Sequence, residues 1–131
     1  MARISIPYGK VYLQADIPDD RLAGTLESRA HEYQPAAGEK QLVRTALENP
    51  IGSPRLCELA KGRQKVVIIT SDHTRAVPTR IMAPLLLAEI RSGNPDADIT
   101  FLVATGFHRA TTNEELRSKF GEKLFAAEKI V

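Results

Sequence analysis

Val66–His73 reads V-V-I-I-T-S-D-H, and Phe101–His108 reads F-L-V-A-T-G-F-H. Each is an apolar run that ends on a threonine, Thr70 or Thr105, with a histidine three positions on and an arginine close behind, Arg75 or Arg109. Apolar runs of this length, separated by a helical stretch, are the sequence form of a strand, a crossover helix and a second, parallel strand. Sheets of that kind bind ligands beyond the carboxyl ends of their strands, so both histidines are expected to face one crevice. The expected fold class is α/β, a Rossmann-like parallel sheet flanked by helices.

Working outward from these strands, Lys65–Thr70 carries four consecutive aliphatic β-branched residues, Val66–Ile69, of the kind found buried on both sheet faces. Between the two runs, Pro78 can open a helix bearing Ile81, Met82, Leu85, Leu86, Ala88 and Ile90, closed by Gly93; Pro84 should kink it or mark its true start. The second strand spans Ile99–Thr105, and Ser71–Val77 is loop. Thr111-Thr112-Asn113-Glu114-Glu115 offers overlapping capping boxes before a helix that ends near Phe120-Gly121, and Glu128–Val131 reads as the start of another strand. Upstream, Ser53 as cap, Pro54 at the first helical position and Gly62 past the end frame a short helix over Arg55–Lys61. Gly38–Glu48, with Leu42, Val43, Ala46 and Leu47 as its stripe, is a helix expected to cover a sheet face. At the start, Ile4 and Ile6, a Tyr8-Gly9 turn, then Val11 and Leu13 predict an N-terminal β-hairpin whose first strand, holding Pro7, is an edge. Asp16–Pro35 is polar, and reads as loop with at most a helical turn around Leu22–Arg29.

With 131 residues, 43% of them hydrophobic, the chain can bury one ordinary core, and it is expected to form a single domain over 1–131. Its 18 basic and 16 acidic side chains are interspersed, which gives a net charge of +2 and argues against nucleic-acid or polybasic membrane partners. The single Cys57 can form no internal disulfide and has no cysteine partner for a metal site, which fits a reducing, cytoplasmic compartment. The amino terminus has no long apolar stretch, and no run approaches the ~20 apolar residues of a membrane helix.

The chemistry concentrates in the two loops. Ser71-Asp72-His73-Thr74-Arg75 sets an acid, an imidazole, two hydroxyls and a guanidinium directly after a strand. Arginine's planar fork suits a carboxylate or phosphate, and free backbone N–H groups at the next helix start favour the same ligands. The blander reading is that Asp72 or Thr74 caps local backbone while Arg75 pairs at the surface. In Thr105-Gly106-Phe107-His108-Arg109, Gly106 lets backbone approach a ligand closely, and His108 is the leading general base because imidazole exchanges protons near neutrality. His73 reads as structural and His31 as a solvated loop residue. Three histidines without ligand spacing make no metal site, Glu114-Glu115 is capping acid, and no Gly-rich phosphate motif is present.

S-D-H-T-R-A-V-P at Ser71–Pro78, L-L-L-A-E-I-R-S-G-N-P-D-A-D-I-T from Leu85 and A-T-G-F-H-R at Ala104–Arg109 resemble the N-terminal domain of the nickel-dependent lactate racemase family, densest from about Lys65 to Val131. The resemblance implies an isomerase that inverts small 2-hydroxy acids such as lactate, using a nickel pincer nucleotide that takes a hydride from the carbinol carbon while a histidine removes the hydroxyl proton. By motif match His108 would be one of two such bases and Arg75 would bind and polarise substrate. Asp72 and Thr74, with Ser71 and Gly106 in the same loops, would face the cofactor. Family members are much longer. The resemblance therefore also implies a C-terminal domain carrying the attachment lysine, the nickel-ligating histidine and the second base, so that this chain alone should neither hold nickel nor racemise. The competing expectation is a non-catalytic anion- or nucleotide-binding module built on Ser71–Arg75, and a weaker third is a metal-assisted hydrolase, which lacks sufficient acid and histidine ligands.

Overall fold

A computed structural model describes residues Met1–Val131, which form two compact units, Met1–Pro35 and Ala36–Val131. The first is a hairpin in which β1 (Ala2–Tyr8) pairs antiparallel with β2 (Val11–Ile17) in the register Ile4↔Ala15 and Ile6↔Leu13. Gly9, at the first of two turn positions, has φ +60, the left-handed value that a primed two-residue turn demands of that residue. Pro7 is tolerated because a two-stranded sheet consists only of edges. Arg3 and Asp16 stand opposite one another and join through two hydrogen bonds of 2.8 and 3.1 Å. Beyond the hairpin the helical turn expected around Leu22–Arg29 is absent; single 3-10 turns form on either side of it, at Asp19–Arg21 and Ala30–Glu32. Pro18 presets the first of these, and the Ser28 hydroxyl accepts from the Ala30 amide at the second.

The second unit holds a three-stranded parallel sheet of order β3 (Lys65–Ser71), β4 (Asp98–Ala104), β5 (Lys129–Ile130). Its helices are α1 (Glu39–Glu48), α2 (Leu56–Ala60), α3 (Thr79–Gly93), α4 (Asn113–Phe120) and α5 (Glu122–Ala127). The core forms where Ala83, Leu87 and Ile90 of α3 meet Ile99 and Phe101 of β4 and Phe120 of α4. Phe101 and Phe120 pack edge to face with ring centroids 5.2 Å apart, the geometry that the aromatic quadrupole favours.

Several expectations need correction. The β3 run is buried on one face only: Val66 and Ile68 turn into the core, whereas Val67 and Ile69 are 58% and 70% exposed, and Leu102 beside Ile69 is 41% exposed. Alternation along the pleat decides this, and a run of β-branched residues conceals it because both faces carry the same chemistry. Helix α1 packs chiefly on α3 rather than over the sheet. Ser53 does not cap α2, which starts at Leu56; the Ser53 hydroxyl turns to the Pro54 carbonyl, and Arg55 reaches instead to Glu89 of α3 through two 3.0 Å hydrogen bonds. Helix α3 runs through Pro84 from Thr79, so Pro84 does not mark its start. Gly93 is demanded by close approach: a Cβ there would lie 1.8 Å from the Cys57 carbonyl oxygen of α2. The sequence gives no hint of α5, which follows α4 after a break at Gly121, where φ is +83. No helix is long and apolar enough to cross a membrane.

Candidate functional site

Ser71 and Ala104 are the last register partners of β3 and β4. The loops that leave them, Asp72–Pro78 and Thr105–Thr112, therefore rise side by side from the carboxyl edge of the sheet, where parallel sheets carry their ligands. At Gly106 φ is +58, which turns the second loop sharply enough for the His108 amide to donate to the Thr105 carbonyl at 3.0 Å. That turn presents His108 to the first loop.

The two loops meet at Asp72. Its side chain is 2% exposed, and His108 Nδ1 lies 2.5 Å from Oδ2. Oδ1 accepts from the Thr74 amide at 3.0 Å and from the Thr74 hydroxyl at 2.7 Å. The Thr74 hydroxyl holds the Asp72 carboxyl far below the ordinary carboxylate range; burial opposes this, and the His108 imidazole and Thr74 amide add to it. Asp72 is thus a buried carboxylate held as an anion, with the Thr74 amide and hydroxyl donating to Oδ1 and the His108 ring beside Oδ2.

His108 and Arg75 line one open pocket of about 400 Å³, together with Ser71, Asp72 and the Ala104–Phe107 segment. The Arg75 guanidinium makes no hydrogen bond or ion pair within the chain. His73, expected in the same crevice, turns away. Its Nδ1 lies 3.5 Å from the Thr111 hydroxyl and its Nε2 3.5 Å from a Glu115 oxygen, and it lines a neighbouring pocket of about 520 Å³ with Arg75, Arg80 and Lys119. Beyond the end of β3 the chain turns at His73 and Thr74, with Asp72 directed to the second loop and His73 to α4. Arg75 alone borders both pockets.

Glu115 secures the second loop. Its carboxylate binds the Arg109 guanidinium at 2.6 and 2.9 Å and accepts from the Thr112 amide at 2.9 Å, while the Thr112 hydroxyl accepts from the Glu115 amide, completing the expected capping box. Arg109 first, then the Thr112 amide, pull the Glu115 carboxyl down to about 2. Glu115 is therefore a capping acid that also clamps the loop bearing His108. Lys119, which sequence reasoning missed, reaches from α4 to the Ser71 hydroxyl at 3.3 Å, and burial lowers its ammonium. A helical count would have found it: Glu115 and Lys119 lie four residues apart, so a helix that places Glu115 at the loops brings Lys119 along.

No group of three or more His, Cys, Asp or Glu residues is gathered in a way that could hold a metal ion. His31 lies exposed in the 3-10 turn of the first unit.

A model of the lactate racemase N-terminal domain matches residues 8–131. A lactate racemase of Thermoanaerobacterium thermosaccharolyticum is 54% identical over all 131 residues, and one of Lactiplantibacillus plantarum is 50% identical over the same length; the chain spans 31% of each. The solved structure of the lactate racemase apoprotein from T. thermosaccharolyticum superposes with a TM-score of 0.85 at 52% identity, over 99% of this chain and 30% of that one. The chain belongs to the lactate racemase N-terminal domain family.

Proposed function

We propose that this chain supplies one wall of the active site of a 2-hydroxy acid racemase, with lactate as the default substrate. The observation that carries the reading is that Arg75 and His108, delivered by loops after different strands, border a single pocket in a chain of this family. Arg75 has no partner in the chain, and its fork donates two parallel hydrogen bonds to a substrate carboxylate. That anchors the acid and orients the carbinol carbon. His108 accepts the hydroxyl proton as the carbinol carbon loses its hydrogen and returns it when the centre is re-formed. One base serves one face of a planar intermediate, so inversion needs a second base from the remainder of the longer polypeptide.

The nickel pincer nucleotide implied by the resemblance would, when bound, supply the acceptor for the carbinol hydrogen. The residues present fit it in part. Ser71 and the backbone at Gly106 line the open side of the pocket and can face such a group. Asp72 and Thr74 direct their polar atoms at one another and at His108, which leaves Ser71 and Gly106 as the principal cofactor-facing groups of this rim. The resemblance implies that the nickel-ligating histidine and the attachment lysine would come from the C-terminal domain.

The test uses the longer polypeptide loaded with cofactor. His108→Gln should abolish interconversion of the lactate enantiomers while cofactor content, read from its absorbance, stays at the parent level. A second reading, a non-catalytic anion-binding module, draws on the basic pocket of Arg75, Arg80 and Lys119. It predicts unchanged anion binding on His108→Gln and no turnover in the parent protein.

A further inference from the structure

We infer that Asp72 is the positioning residue that makes His108 a one-nitrogen base, holding the proton of the neutral ring on Nδ1 so that only Nε2 faces the pocket as an acceptor. The inference rests on His108 being the base of the proposed racemase for its kinetic consequence alone; the tautomer itself belongs to this chain.

A neutral imidazole carries one donor and one acceptor nitrogen, and the partner of one fixes the role of the other. At Asp72 the choice is forced by counting hydrogens. Oδ1 already receives two, from the Thr74 amide and hydroxyl, so the carboxylate is pinned with Oδ2 directed at His108 Nδ1, 2.5 Å away. An ionised carboxylate can only accept, so Nδ1 must donate. Nδ1 is also the sheltered nitrogen: Asp72 is 2% exposed, whereas the His108 side chain is 43% exposed and Nε2 makes no hydrogen bond within the chain. The ring is thereby held in orientation as well as tautomer, since Nδ1 is tethered to the buried carboxylate and His108 lines the pocket that Arg75 borders, which leaves Nε2 as the nitrogen available there.

The charged groups around this pair favour the same state. Lys119 from α4 and Arg109 from the second loop both lie within electrostatic reach of Asp72, and Arg75 borders the same pocket. All three are cations and none opposes the carboxylate, which the Thr74 hydroxyl holds ionised first, with the His108 imidazole and the Thr74 amide adding to it. Thr74 has the separate task of preventing the carboxylate from rotating: without its hydroxyl, Oδ1 would keep only the Asx-type bond from the Thr74 amide.

The experiment has a spectroscopic arm and a kinetic arm. In the 15N-labelled chain, long-range proton–nitrogen correlations should place the neutral-ring proton of His108 on Nδ1, and Asp72→Asn should move it to Nε2 or to a mixture. A parent His108 protonated on Nε2, or an Asp72→Asn variant with an unmoved proton, overturns the inference. The parent measurement stands even if Asp72→Asn fails to fold. Thr74→Val, which keeps the shape of the side chain and loses its donor, should broaden the tautomer preference without unfolding the unit; an unaltered preference removes Thr74 from the account. In the cofactor-loaded longer polypeptide, Asp72→Asn should lower kcat by about 10²- to 10³-fold, with KM within about threefold of the parent and the thermal midpoint little changed. A fall confined to KM or to cofactor content would assign Asp72 to binding instead. Should the tautomer be as stated while turnover ignores His108, the racemase reading fails and the positioning of the ring stands.

Discussion

Replacing Gly93 by alanine should destabilise the second unit, against the ordinary expectation for a helix. Gly93 is the last residue of α3, has no left-handed φ, and in an isolated helix would gain roughly 1 kcal/mol on becoming alanine. Here the new methyl would sit 1.8 Å from the Cys57 carbonyl oxygen, with the Cys57 carbonyl carbon at 2.6 Å and its Cα at 2.9 Å. All three are backbone atoms of α2, so no side chain can rotate away. Relief requires sliding α2 off α3 by more than an ångström, and that motion meets the paired Arg55 and Glu89 and the Asn94 amide, which donates to the Ala60 and Arg63 carbonyls at 3.0 and 2.7 Å. Overpacking of this kind costs about 1–3 kcal/mol and more where backbone must move, so a net loss of about 2 kcal/mol survives the propensity gain. For a unit of this size that is a fall of roughly 8 °C in the thermal midpoint. Calorimetry or circular dichroism on parent and Gly93→Ala proteins measures it, and an unchanged or raised midpoint would refute the packing described between α2 and α3.

Core packing, loop electrostatics and carboxylate recognition each yield a further outcome. Phe101→Ala, at the centre of the core and in edge-to-face contact with Phe120, should cost about 3–5 kcal/mol by denaturant unfolding, whereas Val67→Ala on the open sheet face should cost under about 1 kcal/mol. Glu115 has a folded-state carboxyl depressed from 4.5 to about 2, so its contribution is complete above 4.5 and disappears as pH falls through about 2. The stability difference between parent and Glu115→Gln, read from melts at stepped pH, should accordingly shrink over that interval, and a difference constant down to about 2 would contradict it. Arg75→Lys in the longer polypeptide keeps the charge and loses the fork, and should raise KM for the hydroxy acid by about tenfold or more; unchanged KM would remove Arg75 from carboxylate recognition.

The parallel strands were legible because β-branched runs bounded by turn residues mark a strand without help from the rest of the chain. The hairpin, the capping box at Thr112 and Glu115 and the break at Gly121 were legible for the same local reason. Which face of β3 is buried was not, since Val66, Val67, Ile68 and Ile69 present the same chemistry to both sides and the core chooses between them. Nor was the pairing of Asp72 with His108. Each residue stood out alone, but their contact depends on the register that sets Ser71 beside Ala104, which no local pattern encodes. His73 and His108 share a spacing after their strands, yet that likeness misled: the turn beyond β3 leaves Asp72 at the second loop and His73 at Glu115. The short α5 and the reach of Lys119 were set by packing against elements distant in sequence.

The most direct measurement is enantiomer interconversion by the cofactor-loaded longer polypeptide carrying His108→Gly, assayed by chiral chromatography from pure L-lactate with and without added imidazole. The account predicts turnover reduced by at least about 10²-fold and partly restored by imidazole entering the open pocket beside Arg75. Turnover at the parent rate without imidazole would show that the base lies elsewhere and would contradict the account.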